Sequence, residues 1–205
     1  MPYRSKIMVE NQLRKRGIID NAVLDAISSV PRHRFVRKIY NSVAYKDNPL
    51  PIGHGQTISQ PYIVALMTQL LHVNLKHKVL EIGTGCGYQT AILSILSKRV
   101  ITIEVLSTLS KKSRKLLTKL GYDNIEYHCA NGKYGWSKEA PYDRILVSAA
   151  PETIPEKLIE QLDSNGCMVI PTGTLYEQFI YIITKDKNGQ VHMKKSTPVR
   201  FVPLL

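Results

Sequence analysis

Lys78-Val79-Leu80-Glu81-Ile82-Gly83-Thr84-Gly85-Cys86-Gly87-Tyr88 is the stretch on which the fold reading turns. Its first five residues make a short apolar strand without the polar alternation of a half-buried one. The glycines then supply a tight turn, and a helix opens at Tyr88 and runs to Ser97. Outward from this unit the period keeps switching. Val100 to Glu104, Asn124 to His128, Tyr142 to Ala149 and Gly166 to Ile170 read as strands, with helices at Ser107 to Leu120 and Pro155 to Leu162. Buried strands alternating with helices specify an α/β, Rossmann-like fold, a parallel sheet covered on both faces. The tail departs from it: Gln178 to Thr184 and Gln190 to Lys195 flank Asn188-Gly189, a type I′ hairpin signal, so the sheet ends in antiparallel strands.

Upstream, Lys6 to Lys15 reads as one helix, and Asp20 caps a second that ends near Ser29, before Pro31. Residues 46–61 change character, with Pro49, Pro51, Gly53, Gly55 and Pro61 crowded together, and read as a functional loop. A helix with proline in its first turn follows from Pro61 to about Leu71. The expected organisation is one domain over residues 1–205: a helical addition at 1–45, an active-site loop at 46–61 and an α/β core at 62–205.

At 205 residues, with 43% hydrophobic and 21% charged, the chain can bury a sizeable core, which excludes a disordered or fibrous protein. Cys86, Cys129 and Cys167 are widely spaced with no Cys-x-x-Cys pair, so neither a zinc site nor a disulfide framework is expected, and a reducing cytoplasm is. The histidines show no ligand spacing, and no metal is expected. No apolar stretch is long enough to span a membrane, and no secretory segment develops at the N-terminus. The net charge of +12 favours acidic partners. Its densest cluster, Lys111, Lys112, Arg114, Lys115 and Lys119, falls on one predicted helix without interleaved aromatics, which reads as a solvated face.

The glycine turn carries the chemistry. A dinucleotide site wants Gly-x-Gly-x-x-Gly, but here the third glycine, Gly87, comes one residue early and Tyr88 takes its place. Glu81, two residues before Gly83, would repel a pyrophosphate yet suit a ligand with a cationic amino-acid end, such as S-adenosylmethionine. Glu104 ends the next strand, where a carboxylate accepts hydrogen bonds from a ribose diol. Cys86 reads as a small residue in the turn rather than a reactive thiol, because no partner base is identifiable.

Val30-Pro31-Arg32-His33-Arg34-Phe35-Val36, Gly55-Gln56-Thr57-Ile58-Ser59-Gln60-Pro61-Tyr62, the glycine turn with Tyr88-Gln89-Thr90, Ala149-Ala150-Pro151 and Val199-Arg200-Phe201-Val202-Pro203-Leu204 together resemble bacterial protein-L-isoaspartate O-methyltransferase over essentially the whole chain. The resemblance implies a class I methyltransferase sandwich with an N-terminal helical addition. The implied activity is methyl transfer from S-adenosylmethionine, leaving S-adenosylhomocysteine, to the free α-carboxyl of L-isoaspartyl residues in damaged proteins. It implies that Ser59 is the active-site serine and that Gln56, Thr57, Ile58 and Ser59 cover cofactor and substrate. By the same resemblance Gly83, Gly85 and Gly87 form the cofactor turn, Glu104 is the ribose acid, and the Val199 to Pro203 segment lies near the substrate peptide, Val199 and Phe201 binding it together with Thr57 and Ser59. Where the family usually has Gly-Asp-Gly, whose acid accepts from the adenine amino group, this chain has Ala130-Asn131-Gly132. Asn131 can still accept through its amide oxygen, more weakly by ~1 kcal/mol.

An isoaspartyl carboxyl has a pKa near ~4 and is already ionised at pH 7, so no general base is needed. This agrees with the absence of a Ser-His-Asp or Cys-His arrangement and puts the burden on alignment and water exclusion. Ser59 would orient the carboxylate by its hydroxyl; a helix N-cap ahead of Pro61 is the structural alternative. The rival reading is a nucleic-acid methyltransferase. Ser148-Ala149-Ala150-Pro151-Glu152, where base methylation would want Asn/Asp-Pro-Pro and an aromatic, argues against it. A third reading, a binding module that has lost cofactor use, meets the intact glycines, Glu104 and Ser59. The expected state is a cytoplasmic monomer acting on isoaspartyl proteins and peptides, with no membrane or nucleic acid as partner.

Overall fold

The structure, a computed structural model, describes residues 2–205. Its first helix, α1 (Pro2–Met8), passes through a π turn (Val9–Leu13) and a 3-10 turn (Arg14–Arg16) before Gly17, at φ +88°, ends it. The predicted Lys6 to Lys15 helix is thus early in its start and irregular in its second half. Arg14 N donates to Val9 O across five residues, and the widened turn buries Met8, Val9 and Leu13 together. The second helix, α2 (Asn21–Ser29), is capped as expected by Asp20, whose carboxylate accepts from Val23 N at 3.2 Å.

Residues 46–61 are more ordered than a loop. They contain an antiparallel hairpin, β1 (Leu50–Gly53) and β2 (Gln56–Ile58), which hands the chain to α3 (Pro61–Leu71). Asp47 fixes this segment at its base, accepting from Tyr62 N at 2.9 Å and Gln60 Nε2 at 2.7 Å and pairing with Arg16.

The core then alternates as the sequence implies: β3 (Lys78–Ile82), α4 (Tyr88–Leu96), β4 (Arg99–Ile103), α5 (Ser107–Lys119), β5 (Ile125–His128), β6 (Tyr142–Val147), α6 (Glu156–Glu160), β7 (Leu162–Gly173), β8 (Gln178–Lys185) and β9 (Val191–Val199). The sheet order is β5-β4-β3-β6-β7-β8-β9, parallel through β7 and antiparallel for the last two pairs. Buried β3 and β4 explain the missing alternation, since both of their faces lie under helices. Chain order reverses beside β3, and a crevice opens there at the carboxyl ends of β3, β4 and β6. On α5, Leu109, Ser113 and Leu117 face inward while the lysines and Arg114 are exposed. The cluster is a solvated face.

Two boundaries move for physical reasons. The helix expected over Pro155 to Leu162 stops at Glu160, because Leu162 is buried as the first residue of a strand that pairs Tyr142. The turn between β8 and β9 is not type I′: only Gly189 has positive φ (+83°), while Gly189 N donates to Asp186 O and Asp186 N to Gln190 O. This is a type I turn followed by a left-handed glycine, and Asp186 Oδ1 secures it by accepting from Asn188 N and Gln190 N. Among the described residues no helix is long and apolar enough to cross a membrane, and no cluster of three or more His, Cys, Asp or Glu could hold a metal.

Candidate active site

The crevice holds a cleft of about 880 Å³, counting its open mouth. Its floor is the glycine turn. Gly83 (φ +91°), Gly85 (φ +55°) and Gly87 (φ +88°) all adopt left-handed backbone, which side chains resist. A Cβ on Gly85 would come within 3.4 Å of Ile52 Cδ1 from the β1–β2 hairpin, so the hairpin rests directly over the turn.

Glu104 leaves β4 into this cleft. Its Oε2 accepts from Gly85 N at 2.8 Å and its Oε1 from Leu106 N at 2.9 Å, which locks the carboxylate and leaves lone pairs for a ligand. Ser59, just after β2, lines the same cleft. Sequence alone left Ser59 open as a helix cap, but the residue capping α3 is Gln60, and it makes no side-chain cap bond. Among the described residues the Ser59 hydroxyl has no hydrogen-bond partner, so a pocket-lining donor stands free. Gln56, Thr57 and Ile58 line the same cleft, as does Gly132, which presses its backbone against Ile82.

Five predicted positions are placed elsewhere. Glu81 is fully buried beneath the turn and lines nothing: the Thr90 and Thr102 hydroxyls both donate to its Oε2 at 2.6 Å, and Thr84 bonds Thr102 at 2.6 Å. With its one proton given to Glu81, Thr102 must accept from Thr84. Glu81 is therefore an anchor for the turn, not a partner for a ligand's ammonium. Enclosure without a cation pushes its carboxyl up to about 7, the two threonine hydroxyls opposing the rise and Glu104 adding to it. Gly87 is a packing glycine, with Leu117 Cδ1 only 2.8 Å from where a Cβ would lie. Asn131 is exposed outside the cleft, its Oδ1 accepting from Lys133 N at 2.9 Å to cap a short 3-10 turn.

Val199 and Phe201 also lie outside the cleft; Phe201 packs with the core beside β7 and β8. Of the expected Val199 to Pro203 segment, Val202 and Pro203 line the cleft, and Leu204 and Leu205 beyond it complete the wall. They do so because Ala150 N donates to Val202 O and Leu204 N to Ala150 O, adding the C-terminus as a short parallel bridge beyond β6. The sequence reading also missed Ile52, Ser148 and Ala149. Ser148 follows the end of β6, a position that the switch-point rule could have flagged.

Cys86 lines the cleft too. Burial pushes its thiol up to about 11, so it stays protonated, as a small turn residue would. No histidine contributes to the lining.

Residues 4–205 match the family described as protein-L-isoaspartate(D-aspartate) O-methyltransferase. The chain belongs to this family. A protein-L-isoaspartate O-methyltransferase of Dictyoglomus turgidum is 52% identical over 202 residues, covering 98% of this chain and 91% of its own. One of Picosynechococcus is 50% identical over 197 residues, 96% of this chain and 88% of its own. A Plasmodium falciparum structure described as a putative family member, in complex with S-adenosyl-L-homocysteine, superposes with a TM-score of 0.84 at 31% identity, over 98% of this chain and 97% of that one. The methyltransferase sandwich expected of the family is the architecture found here, N-terminal helical addition included.

Proposed function

We infer that this protein transfers a methyl group from S-adenosylmethionine to the free α-carboxyl of L-isoaspartyl residues in damaged proteins and peptides, releasing S-adenosylhomocysteine. The observation that carries the reading is that Ser59, whose hydroxyl has no hydrogen-bond partner among the described residues, lines the same cleft as the glycine turn and the locked Glu104 carboxylate.

The cleft fits the donor on its own chemistry: Glu104 retains acceptor capacity for a ribose diol, and Gly83 and Gly85 leave the backbone bare to an approaching ligand. Bound there, S-adenosylmethionine supplies an electrophilic methyl group on a sulfonium. Everything else the residues do is positioning. Ser59 donates its O–H to one oxygen of an already ionised carboxylate and aims the other at the methyl group. Ile52, Ile58, Val64 and Met67 keep water from the reacting pair. Cys86, held protonated, offers no competing thiolate. A cleft with no histidine suits a reaction that needs no base.

We further place the chain in the cytoplasm as a monomer that acts on peptide, not on nucleic acid or membrane. Its three cysteines are free, and its basic cluster lies on the outer face of α5. The test is incubation with labelled donor and an isoaspartyl peptide, its aspartyl twin, or RNA. Label in the isoaspartyl peptide alone, released by mild base as an ester must be, is expected; label in RNA, or in none of the three, overturns the reading. Ser59→Ala should lose about 100-fold in kcat while its affinity for S-adenosylhomocysteine stays within about threefold.

A further inference from the structure

Arg32 is the one fully buried arginine among the described residues, and it lies behind the wall that carries Ser59. It follows α2 in a single 3-10 turn, Arg32–Arg34. Its Nε donates to Ala44 O at 2.8 Å and one terminal nitrogen donates to Ser59 O at 2.8 Å. The guanidinium carbon sits 4.8 Å from the centre of the Tyr88 ring, and Nη1 finds no acceptor. Ser59, Cys86 and Tyr88, which surround it, all line the cleft.

What is missing is an anion. No carboxylate pairs with Arg32 among the described residues. Asp47, the acid that acts on it from a distance, is committed to Tyr62 N, Gln60 and Arg16. Cys86 and Tyr88 are held neutral by burial, to about 11 and about 12. Burial draws the Arg32 pKa below the ordinary arginine value, yet guanidinium groups keep their proton in proteins. A buried charge supported by two carbonyls, an aromatic face and the neutral Tyr88 hydroxyl, with no anion, is costly to maintain. It also sets a cation directly behind Ser59, a residue that lines the cleft.

We propose that Arg32 is a positioning and specificity-determining residue, which holds the Ser59 backbone and makes that side of the cleft selective for an anionic methyl acceptor. It acts through Ser59 and through its field, without touching the acceptor. The proposal rests on the carboxyl-methylation reading above. That reading fails separately, if the wild type with labelled donor leaves the isoaspartyl peptide unlabelled.

The test compares two probes in the presence of saturating S-adenosylhomocysteine: an isoaspartyl peptide with its free α-carboxyl and the same peptide as its α-carboxamide. The ratio of their affinities reads charge selection, which a purely structural role would leave unmoved. The wild type should prefer the acid by at least about tenfold. Arg32→Gln should cut that preference by roughly tenfold, the size of one unit-charge interaction in a partly screened interior. Arg32→Lys, whose ammonium keeps the charge but reaches less far, should cut it by about threefold. Both should hold S-adenosylhomocysteine within about threefold of the wild type. If Arg32→Gln does not fold, Arg32→Lys decides. An unchanged preference in a variant that binds S-adenosylhomocysteine, equal losses for acid and amide, or loss of S-adenosylhomocysteine binding in both variants overturns the proposal.

Discussion

A carboxyl group enclosed without a cation gives up its proton late, and Glu81 is that case, at about 7 against 4.5 for the free group. Between those values the folded protein holds a proton that the unfolded chain has released, so this group's contribution to stability falls as pH rises through the window and levels off above it. Glu81→Gln removes the titration while keeping an acceptor for Thr90 and Thr102. Denaturant melts at pH 5 and pH 7.5 should show the wild type losing roughly 2 kcal/mol more than the variant over that interval. Equal pH slopes would show that Glu81 titrates normally. Asn131 poses the opposite question, because it is exposed and neutral outside the cleft, next in sequence to the lining residue Gly132. Asn131→Asp keeps the cap on Lys133 N and adds a charge, and should tighten S-adenosylmethionine by about fivefold, or ~1 kcal/mol, in calorimetry. Unchanged affinity would mean that the side chain never meets the ligand. Neither burial was readable beforehand: Glu81 and Glu104 are both acids at the end of an apolar strand, and only packing decides which one faces the cleft.

At the scale of the elements, close approach of backbone to side chain does what sequence pattern cannot announce. Gly132 places a virtual Cβ 2.3 Å from Ile82 Cγ2, and Ile82 is a β-branched residue locked in the central strand. Gly132→Ala should therefore destabilise by about 1–3 kcal/mol in a urea melt and weaken S-adenosylhomocysteine binding, since Ile82 itself lines the cleft. Stability equal to the wild type would mean that the turn shifts freely. The elements themselves were largely legible: α3 begins at Pro61 and ends at Leu71 as its proline and apolar spacing imply, and β3 starts and stops where its apolar run does. The irregular ones were not. The β1–β2 hairpin was hidden among prolines and glycines, and the Asn188-Gly189 turn took a different type because Asp186 supplies side-chain bonds to its backbone.

For the whole molecule, ligand binding couples the hairpin, the glycine turn and the C-terminal wall, which meet only in the folded state. S-adenosylhomocysteine at about 100 times its Kd should stabilise the protein by about 2.7 kcal/mol and raise Tm by roughly 5–10 °C. Adenosine alone, which lacks the amino-acid end, should raise it less; equal shifts would show that the amino-acid end finds no site. The sequence by itself determined the layered α/β plan, the glycine turn, the Glu104 and Ser59 positions and the family, because periodicity, glycine backbone freedom and short motifs are local properties of the chain. Tertiary structure alone decided that Glu81 anchors the turn, that within the C-terminal segment Val202 and Pro203 rather than Val199 or Phe201 line the cleft, and that Arg32 stands charged behind Ser59. Those are matters of which side of a packed strand or turn a side chain occupies, and contacts between residues far apart in sequence fix them.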